Sequence, residues 1–405
     1  MPINKRTITK INSNNISQIK SIEVHPLPIF SEISKEFLSD LSIKLFNNKS
    51  FRTYDDIASF AFWCRKSNIE KIAFDYSTQN YFLGRGIALH ITPSNVPVNF
   101  AFSFAFGLLS GCANIVRIPS DKFNQIEIIC SEIFDLLSKN KYISLSKMNE
   151  FITYEKDSEI NQELSKIANV RLIWGGDKTI YELKKVRTNP RCLDVCFSDR
   201  YSFCIINSKK FNYLDNEQKQ ILVNKFYNDA FYLNQNACSS PFLIIWEGDS
   251  KNCNKAKSSF WSFVNKKINQ KLVLEDSEIM EKFRHLCKTS IDYHHELNIN
   301  WENNMIYRLN LKKMSDDFYK FKFRSGFFFE YSTNNINEIW EVINEKYQTI
   351  TYYGIKPETI FNSLKKANVL GVDRIVPIGQ ALEIGHIWDG FDIIRTLSRC
   401  ISVKE

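Results

Sequence analysis

From Ile87 to Val116 the chain runs without a Lys, Arg, Asp or Glu, although 24% of all its residues are charged. A window that long and that uncharged belongs either in a bilayer or in the interior of a layered core. Its own letters decide. Thr92-Pro-Ser-Asn-Val-Pro-Val-Asn99 sets two prolines and two amides in the first half, which leaves Phe100 to Leu109 as a short apolar helix closed by Ser110-Gly111. A helix of that length covers only about half a bilayer. The window therefore predicts a buried helix in an α/β domain and no membrane span.

The flanks carry the same reading. Tyr81 to Ile91 reads as a strand or a hairpin through Gly84 and Gly86, and Ala113 to Ile118 as a central strand. Pro119-Ser120 then opens a helix with Phe123, Ile126, Ile129, Ile133 and Leu136 on one face. Strand, turn, helix, strand, helix is how parallel sheets with nucleotide sites at their strand ends are built. Gly84 and Gly86 are no dinucleotide fingerprint, because Leu89 stands where a third glycine would be. A second junction follows, with Val170 to Trp174 as strand, Gly175-Gly176 as turn and a helix that has Leu183 on its apolar side. Two glycines there let backbone N–H groups approach a phosphate, and a plain tight turn is the alternative.

A chain of 405 residues has room for two or three domains, and 32 Phe with 17 Tyr promise well-filled cores. The formal charge of +8 favours polyanionic small molecules such as nucleotides and coenzyme A. Lys and Arg are dispersed and no zinc-finger, basic-zipper or RNP pattern occurs, so no nucleic acid is expected as partner. Ten cysteines without a Cys-x-x-Cys pair, several inside apolar runs, read as free thiols of a reducing cytoplasm. The six His lack metal-ligand spacing, and no metal is expected. Lys5, Arg6 and Lys10 stand among Asn, Ser and Thr with no apolar segment of a secretory signal. Residues 1–75 contain an amphipathic helix through Phe37, Leu41, Ile43 and Leu45.

Leu222, Phe226, Ala230 and Leu233 recur at helical spacing before Asn234-Gln-Asn-Ala-Cys-Ser-Ser-Pro241, and the apolar run Phe242 to Trp246 follows. Cys238 is thus presented on a short polar turn between a helix and a strand, as a nucleophile requires, unless it is simply a buried cysteine beyond a helix end. Residues 250–315 read as Lys- and Asn-rich helices and loops. Tyr319 to Arg324 alternates aromatic with basic residues, the pattern of a half-exposed strand. Gly371 to Arg399, with Arg374, Pro377, Gly379, Trp388, Asp389 and Gly390, reads as a loop closing over a site or as a surface tail.

Four stretches taken together resemble the LuxC-type acyl-CoA reductases, an offshoot of the aldehyde dehydrogenase superfamily. They are His90-Ile-Thr-Pro-Ser-Asn-Val-Pro-Val-Asn-Phe100, Gly111-Cys-Ala-Asn-Ile-Val-Arg-Ile-Pro-Ser120, Asn234 to Pro241, and Asp373-Arg-Ile-Val-Pro-Ile-Gly379 with Trp388-Asp-Gly-Phe-Asp392. The resemblance implies an aldehyde-dehydrogenase-like α/β fold, a parallel-sheet cofactor domain plus an α/β catalytic domain. The expected layout is an N-terminal helical segment over 1–75, an NAD(P)-binding domain over 76–205, a catalytic domain over 206–370 and a closing or oligomerisation segment over 371–405. It also implies roles. Cys238 corresponds to the nucleophile and Asn95 to the side chain that, with the Cys238 N–H, stabilises the thiohemiacetal oxyanion. Arg117 and Ser120 correspond to the segment that grips the adenosine ribose, with Arg117 suited to a 2′-phosphate. Gly175 and Gly176 correspond to the turn near the pyrophosphate.

Phe197-Ser-Asp-Arg200 stands where thioester-hydrolysing relatives carry a Glu general base, so water attack on an acyl-enzyme is expected to be slow. The Glu that holds the nicotinamide ribose has no counterpart near Phe321 to Phe327. The implied activity is reduction of an acyl thioester to an aldehyde, with NADPH as cofactor (NADH the alternative) and coenzyme A as part of the substrate. The implied protein is a cytoplasmic homo-oligomer that takes its acyl group from acyl-CoA or from an acylated partner of the acyl-protein-synthetase kind. The alternatives are an aldehyde dehydrogenase working oxidatively, a cofactor-free cysteine acyltransferase or thioesterase, and a non-enzymatic binding or membrane-associated protein.

Overall fold

The computed structural model describes residues 7–11, 19, 22–48, 53–77, 81–93, 96–119, 121, 123–154, 158–272, 274–293 and 297–404. The chain divides into two compact units, Met1–Ser198 with Phe391–Glu405, and Asp199–Gly390. The division precedes the 205/206 boundary expected from the sequence because Tyr201–Asn207 is a strand of the second unit's sheet, hydrogen-bonded to Pro241–Glu247 and Tyr347–Tyr353. Residues 371–405 are likewise shared, up to Gly390 with the second unit and from Phe391 with the first.

The first unit is built on a parallel sheet in the order Thr9–Lys10, Asn149–Thr153, Ala113–Arg117, Ile87–Ile91, Val170–Trp174, Leu193–Phe197. From Ile87–Ile91 the chain winds outward through Ala113–Arg117 to Asn149–Thr153, then returns to the other side of Ile87–Ile91 with Val170–Trp174. The strand order reverses there, and in such sheets ligands bind beyond the carboxyl ends of the strands at that reversal. All five residues of Ile87–Ile91 are buried, as are all residues of the helix Asn99–Leu109. Phe104 of this helix meets Phe37 and Phe151 edge-on at 6.3 and 4.9 Å, and Phe102 meets Phe60 and Trp63. Phe37 lies on Glu32–Asn47, and Phe60 and Trp63 on Asp55–Trp63, so the N-terminal helices cover the uncharged one. That double burial explains the missing charges. Among the described residues no helix is long and apolar enough to cross a membrane.

Phe82–Gly84 and Ile87–Ile91 are not the arms of a hairpin. Phe82–Gly84 pairs antiparallel with Ser398–Cys400, whereas Ile87–Ile91 lies inside the parallel sheet. Gly86, at φ 126°, turns the chain from one pairing to the other in a conformation that side-chain-bearing residues rarely adopt.

The second unit holds a seven-stranded sheet in the order Leu297–Asn303, Ile306–Leu311, Phe327–Thr333, Pro241–Glu247, Tyr201–Asn207, Tyr347–Tyr353, Arg374–Pro377, with only the first pair antiparallel. Phe203, Leu243, Phe329 and Ile350 enter one core, and Cys204, Ile244, Trp246 and Phe328 enter another. Successive residues of a strand face opposite sides, so a strand buried on both faces is apolar throughout, as Phe242 to Trp246 is. Two expectations need correction. Residues 250–315 contain the helices Ser250–Lys271 and Asp276–Asp292, but also the hairpin Leu297–Asn303 with Ile306–Leu311. Tyr319 to Arg324 is not a strand: Phe318–Phe321 is a 3₁₀ turn, and the chain is irregular up to Phe327. The aromatic residues here pack in different directions, Phe318 on Phe242, Phe321 on Tyr293 and Phe323 on His285, which one strand face could not achieve.

Candidate functional site

In the second unit, the helix Asn216–Phe231 starts with a capping box at Asp215 and Gln218 and leads into the turn that carries Cys238. Asn234 and Gln235 both have positive φ, 49° and 61°, a conformation non-glycine residues adopt only when their surroundings enforce it. The enforcing group is the Gln235 side chain, 1% exposed. Its Nε2 donates to the Pro241 and Phe327 carbonyls, both at 3.1 Å, and its Oε1 accepts from the Gly326 and Phe327 N–H groups at 3.0 and 3.2 Å. The turn is thereby tied to the strand that follows it and to the segment entering Phe327–Thr333.

Cys238 is partly exposed, whereas Cys64, Cys130 and Cys204 are buried. Ser202 Oγ donates to the Cys238 carbonyl at 2.7 Å and accepts from the Thr349 N–H at 3.1 Å, which fixes the cysteine backbone over the sheet. Burial pushes the Cys238 thiol up, the Lys322 ammonium and a hydrogen bond from the Arg200 N–H oppose this, and the Asp389 and Asp199 carboxylates add to it. The same desolvation lowers Lys322, countered by Cys238 and Asp199. The thiol thus sits among charges of both signs, an environment unlike a plain hydrophobic core.

The C-terminal motif residues of this unit hold that neighbourhood together. Arg200 donates to the Asp373 carboxylate at 2.6 Å and the Tyr347 carbonyl at 2.8 Å, and lies 4.0 Å from Asp389. Gln348 donates to Asp389, whose carboxyl burial raises to about 6. Arg374 stacks on Trp388 at 4.3 Å and donates to the carbonyls of Ala381, Gln380 and Glu383. Asp229, on the helix that leads to Cys238, accepts from the Gly379 and Ala381 N–H groups at 2.6 and 2.9 Å. Residues 373–390 are therefore a pinned segment whose letters serve its own fastening, with Asp389 also acting on the thiol.

In the first unit, Arg117 ends its strand beside Thr92, whose Oγ1 donates to the Arg117 carbonyl at 2.7 Å. Both lie at the carboxyl edge where the strand order reverses. The Arg117 guanidinium rests over the Tyr154 ring at 4.6 Å and reaches the Tyr154 carbonyl at 3.4 Å, while its buried Nε has no hydrogen-bond partner. At the same edge Gly175 and Gly176 link Val170–Trp174 to the helix Asp177–Lys184, with Gly176 as N-cap at φ −64°. Neither glycine has positive φ, and a Cβ at Gly175 would meet only Thr179, at an ordinary 3.5 Å. Folding does not demand glycine at position 175, so its bareness leaves space for something other than the chain. Next to them Trp174 stacks on Phe197 at 3.7 Å and donates to Ser103 Oγ at 3.1 Å. Ser103 meets His90 Nδ1 at 2.7 Å, His90 Nε2 meets Asn114 Oδ1 at 3.0 Å, and Asn114 Nδ2 donates to Asn149 Oδ1 at 2.7 Å. With Asn114 Oδ1 as acceptor, the His90 proton belongs on Nε2 and Ser103 donates to Nδ1. Burial lowers His90 to about 4, so it is a neutral relay within the sheet.

Asn95 and Ser120 lie outside the described residues. The sequence places Asp199 and Arg200 in the stretch that replaces a Glu base and Gln235 in the cysteine motif, but gives none of them a role of its own, and Lys322 reads there only as the charged side of a strand. The described residues include no group of three or more His, Cys, Asp and Glu able to hold a metal ion.

Solved structures with this fold include an NAD-dependent benzaldehyde dehydrogenase from Corynebacterium glutamicum, at TM-score 0.64 and 10% identity over 95% of this chain and 86% of that one. Proline utilization A from Corynebacterium freiburgense superposes at TM-score 0.68 and 11% identity, over 99% of this chain and 44% of that one. Glyceraldehyde-3-phosphate dehydrogenase GapN from Methanocaldococcus jannaschii, complexed with NADP, gives TM-score 0.61 and 14% identity over 95% and 90%. At these identities the likeness establishes the aldehyde dehydrogenase fold. No curated protein matches the sequence. The family of acyl-CoA reductases (LuxC), however, matches residues 70–400, nearly the whole chain. With that match and that fold, the chain belongs to the LuxC acyl-CoA reductase family of oxidoreductases.

Proposed function

We propose that this protein reduces an acyl thioester of coenzyme A to the aldehyde, with Cys238 as the nucleophile. The observation that carries the reading is the partly exposed Cys238 on a turn locked by Gln235 and Ser202, in a chain of this family. The Cys238 thiolate attacks the acyl carbonyl, a carbon–sulphur bond to the enzyme forms, and the bond to coenzyme A breaks. Asn95 is the proposed amide donor to the oxyanion, on the strength of its motif alone. After reduction of the acyl carbon, the enzyme carbon–sulphur bond breaks, aldehyde leaves and the thiolate returns to Cys238.

A nicotinamide cofactor supplies the hydride when bound. The first unit's carboxyl edge fits such a group: the unpartnered Arg117 Nε suits a phosphate, and Gly175, with Gly176 as the cap of the next helix, leaves room for a pyrophosphate against backbone N–H groups. Arg117 is the basis for proposing NADPH over NADH.

Single-turnover acylation with radiolabelled acyl-CoA tests the reading, with Cys238→Ala in parallel and NADPH added afterwards. Label that requires Cys238 and leaves as aldehyde on NADPH addition is the expected result. Label that leaves as free acid whether or not NADPH is present would identify a thioesterase. Equal labelling of Cys238→Ala would remove Cys238 from the chemistry.

A further inference from the structure

We propose that the groove between the helix Ser250–Lys271 and the first three strands of the second unit's sheet binds a small molecule with an oxyanion head, phosphate or carboxylate. The groove encloses about 1000 Å³, the size of a small-molecule site. Its walls differ from an ordinary helix–sheet contact. Elsewhere the same helix packs as expected, with Cys253, Ala256, Phe260 and Val264 in the core. The strand Ile306–Leu311 likewise sends Tyr307, Leu309 and Leu311 into the core of its other face. Towards the groove, however, it turns Arg308 and Asn310, and the register sets them in polar rows: Asn298 opposite Asn310 opposite Glu330, and Asn300 opposite Arg308. From the helix, Lys257, Ser258 and Ser262 line the facing wall. A sheet face lying under a helix is ordinarily apolar, so this polarity serves something other than packing.

The floor is built around one carboxylate. Glu330 is fully buried; its Oε1 accepts from the Trp246 and Trp261 indoles, both at 2.8 Å, and its Oε2 has no hydrogen-bond partner. That second oxygen lies 3.8 Å from Arg308 Nη1, and the Arg308 guanidinium lies 5.3 Å from the centre of the Trp261 ring. A carboxylate buried this deeply is destabilising unless a charge answers it, and here it fixes a guanidinium in the groove. Lys257 Nζ donates to Asn310 Oδ1 at 2.7 Å. Asn310 and Arg308 stand two residues apart on one face of a strand, about 7 Å, so the ammonium is held near the guanidinium. The groove residues thus carry two cations, Lys257 and Arg308, against the single carboxylate of Glu330. The surplus positive charge selects an oxyanion, which the guanidinium and the N–H groups of Lys257 not engaged by Asn310 can receive, while the amides and hydroxyls around them suit a polar body. Glu330 pairs with Ile244, three residues into the strand that starts at Pro241 and about 10 Å beyond the cysteine turn, so the groove is a site separate from Cys238.

Isothermal titration calorimetry of the full chain at fixed ionic strength tests this, with inorganic phosphate, glycerol 3-phosphate and succinate as probes and glycerol as the uncharged control. Saturable one-to-one binding of a phosphate or of the dicarboxylate is expected, and none of glycerol; the probe that binds tells a phosphate head from a carboxylate. Lys257→Met and Arg308→Gln are each expected to weaken that binding by about tenfold or more, whereas Arg117→Met, in the first unit, leaves it in place. Lys257 is only half-buried, so its variant decides the matter should Arg308→Gln not fold. The absence of saturable binding for every probe overturns the proposal. So does binding that survives Lys257→Met unweakened, binding that vanishes in Arg117→Met, or glycerol binding as tight as that of its phosphate. The readout is binding alone, so the result is independent of whether Cys238 is acylated.

Discussion

Gln235 allows the rigidity of the cysteine turn to be tested with a worked magnitude. Replacement by Ala removes four hydrogen bonds at 3.0–3.2 Å from a side chain that is 1% exposed. The Gly326 and Phe327 N–H groups lose their acceptor in a buried setting, at about 1–3 kcal/mol each, and the vacated volume adds to this. A loss of about 3–5 kcal/mol follows, enough to lower the melting temperature of the unit by about 6–20 °C. Urea titration followed by tryptophan fluorescence measures it, since Trp246, Trp261, Trp301, Trp340 and Trp388 all lie in this unit. Gln235→Glu supplies a sign test. Its carboxylate keeps an acceptor for the two N–H groups but opposes the Pro241 and Phe327 carbonyls, so this variant is expected to gain stability as pH falls and the carboxyl becomes a donor. Acylation of Cys238 is expected to slow by about tenfold or more in both variants while they are still folded, because the positive-φ pair no longer holds the turn. A Gln235→Ala loss below about 1 kcal/mol, or a Gln235→Glu variant with the pH response of wild type, would refute the reasoning.

Two further outcomes concern the first unit. Arg171, 1% exposed, forks onto Asp194 at 2.7 and 2.6 Å and donates to Ser165 and the Leu183 carbonyl at 3.0 Å. Arg171→Met is expected to cost about 3–5 kcal/mol in chemical denaturation, and Arg171→Lys to recover little, since an ammonium cannot span both carboxylate oxygens. His90 is lowered from 6.5 to about 4 by burial, so below pH 6.5 the unfolded chain binds a proton that the folded chain refuses. Its contribution to stability is intact above about pH 6.5 and is lost as pH falls towards 4, by about 3 kcal/mol in all. In His90→Gln that part of the acid slope is expected to vanish from urea midpoints taken between those pH values.

Local patterns carried a large part of the architecture. The uncharged window from Ile87 to Val116, the glycine turn after Trp174 and the helix–turn–strand around Cys238 follow from periodicities that any segment buried on both faces must obey. They located the parallel sheet, its carboxyl edge and the presented thiol. Tertiary structure alone decided what lies far apart in the chain. Phe82–Gly84 finds its partner in Ser398–Cys400, and the Asn-rich run Leu297–Asn303 becomes an edge strand because Ile306–Leu311 turns back beside it. Gln235 becomes a clamp only when Gly326 and Phe327 come within its reach. Lys322 comes to lie over the Tyr201 ring because Tyr319, Phe321 and Phe323 each find a different packing partner, which breaks the strand their alternation suggests. A period along the sequence reports which side of an element is buried. Which side chain meets which across the fold is set by long-range packing, which no local period encodes.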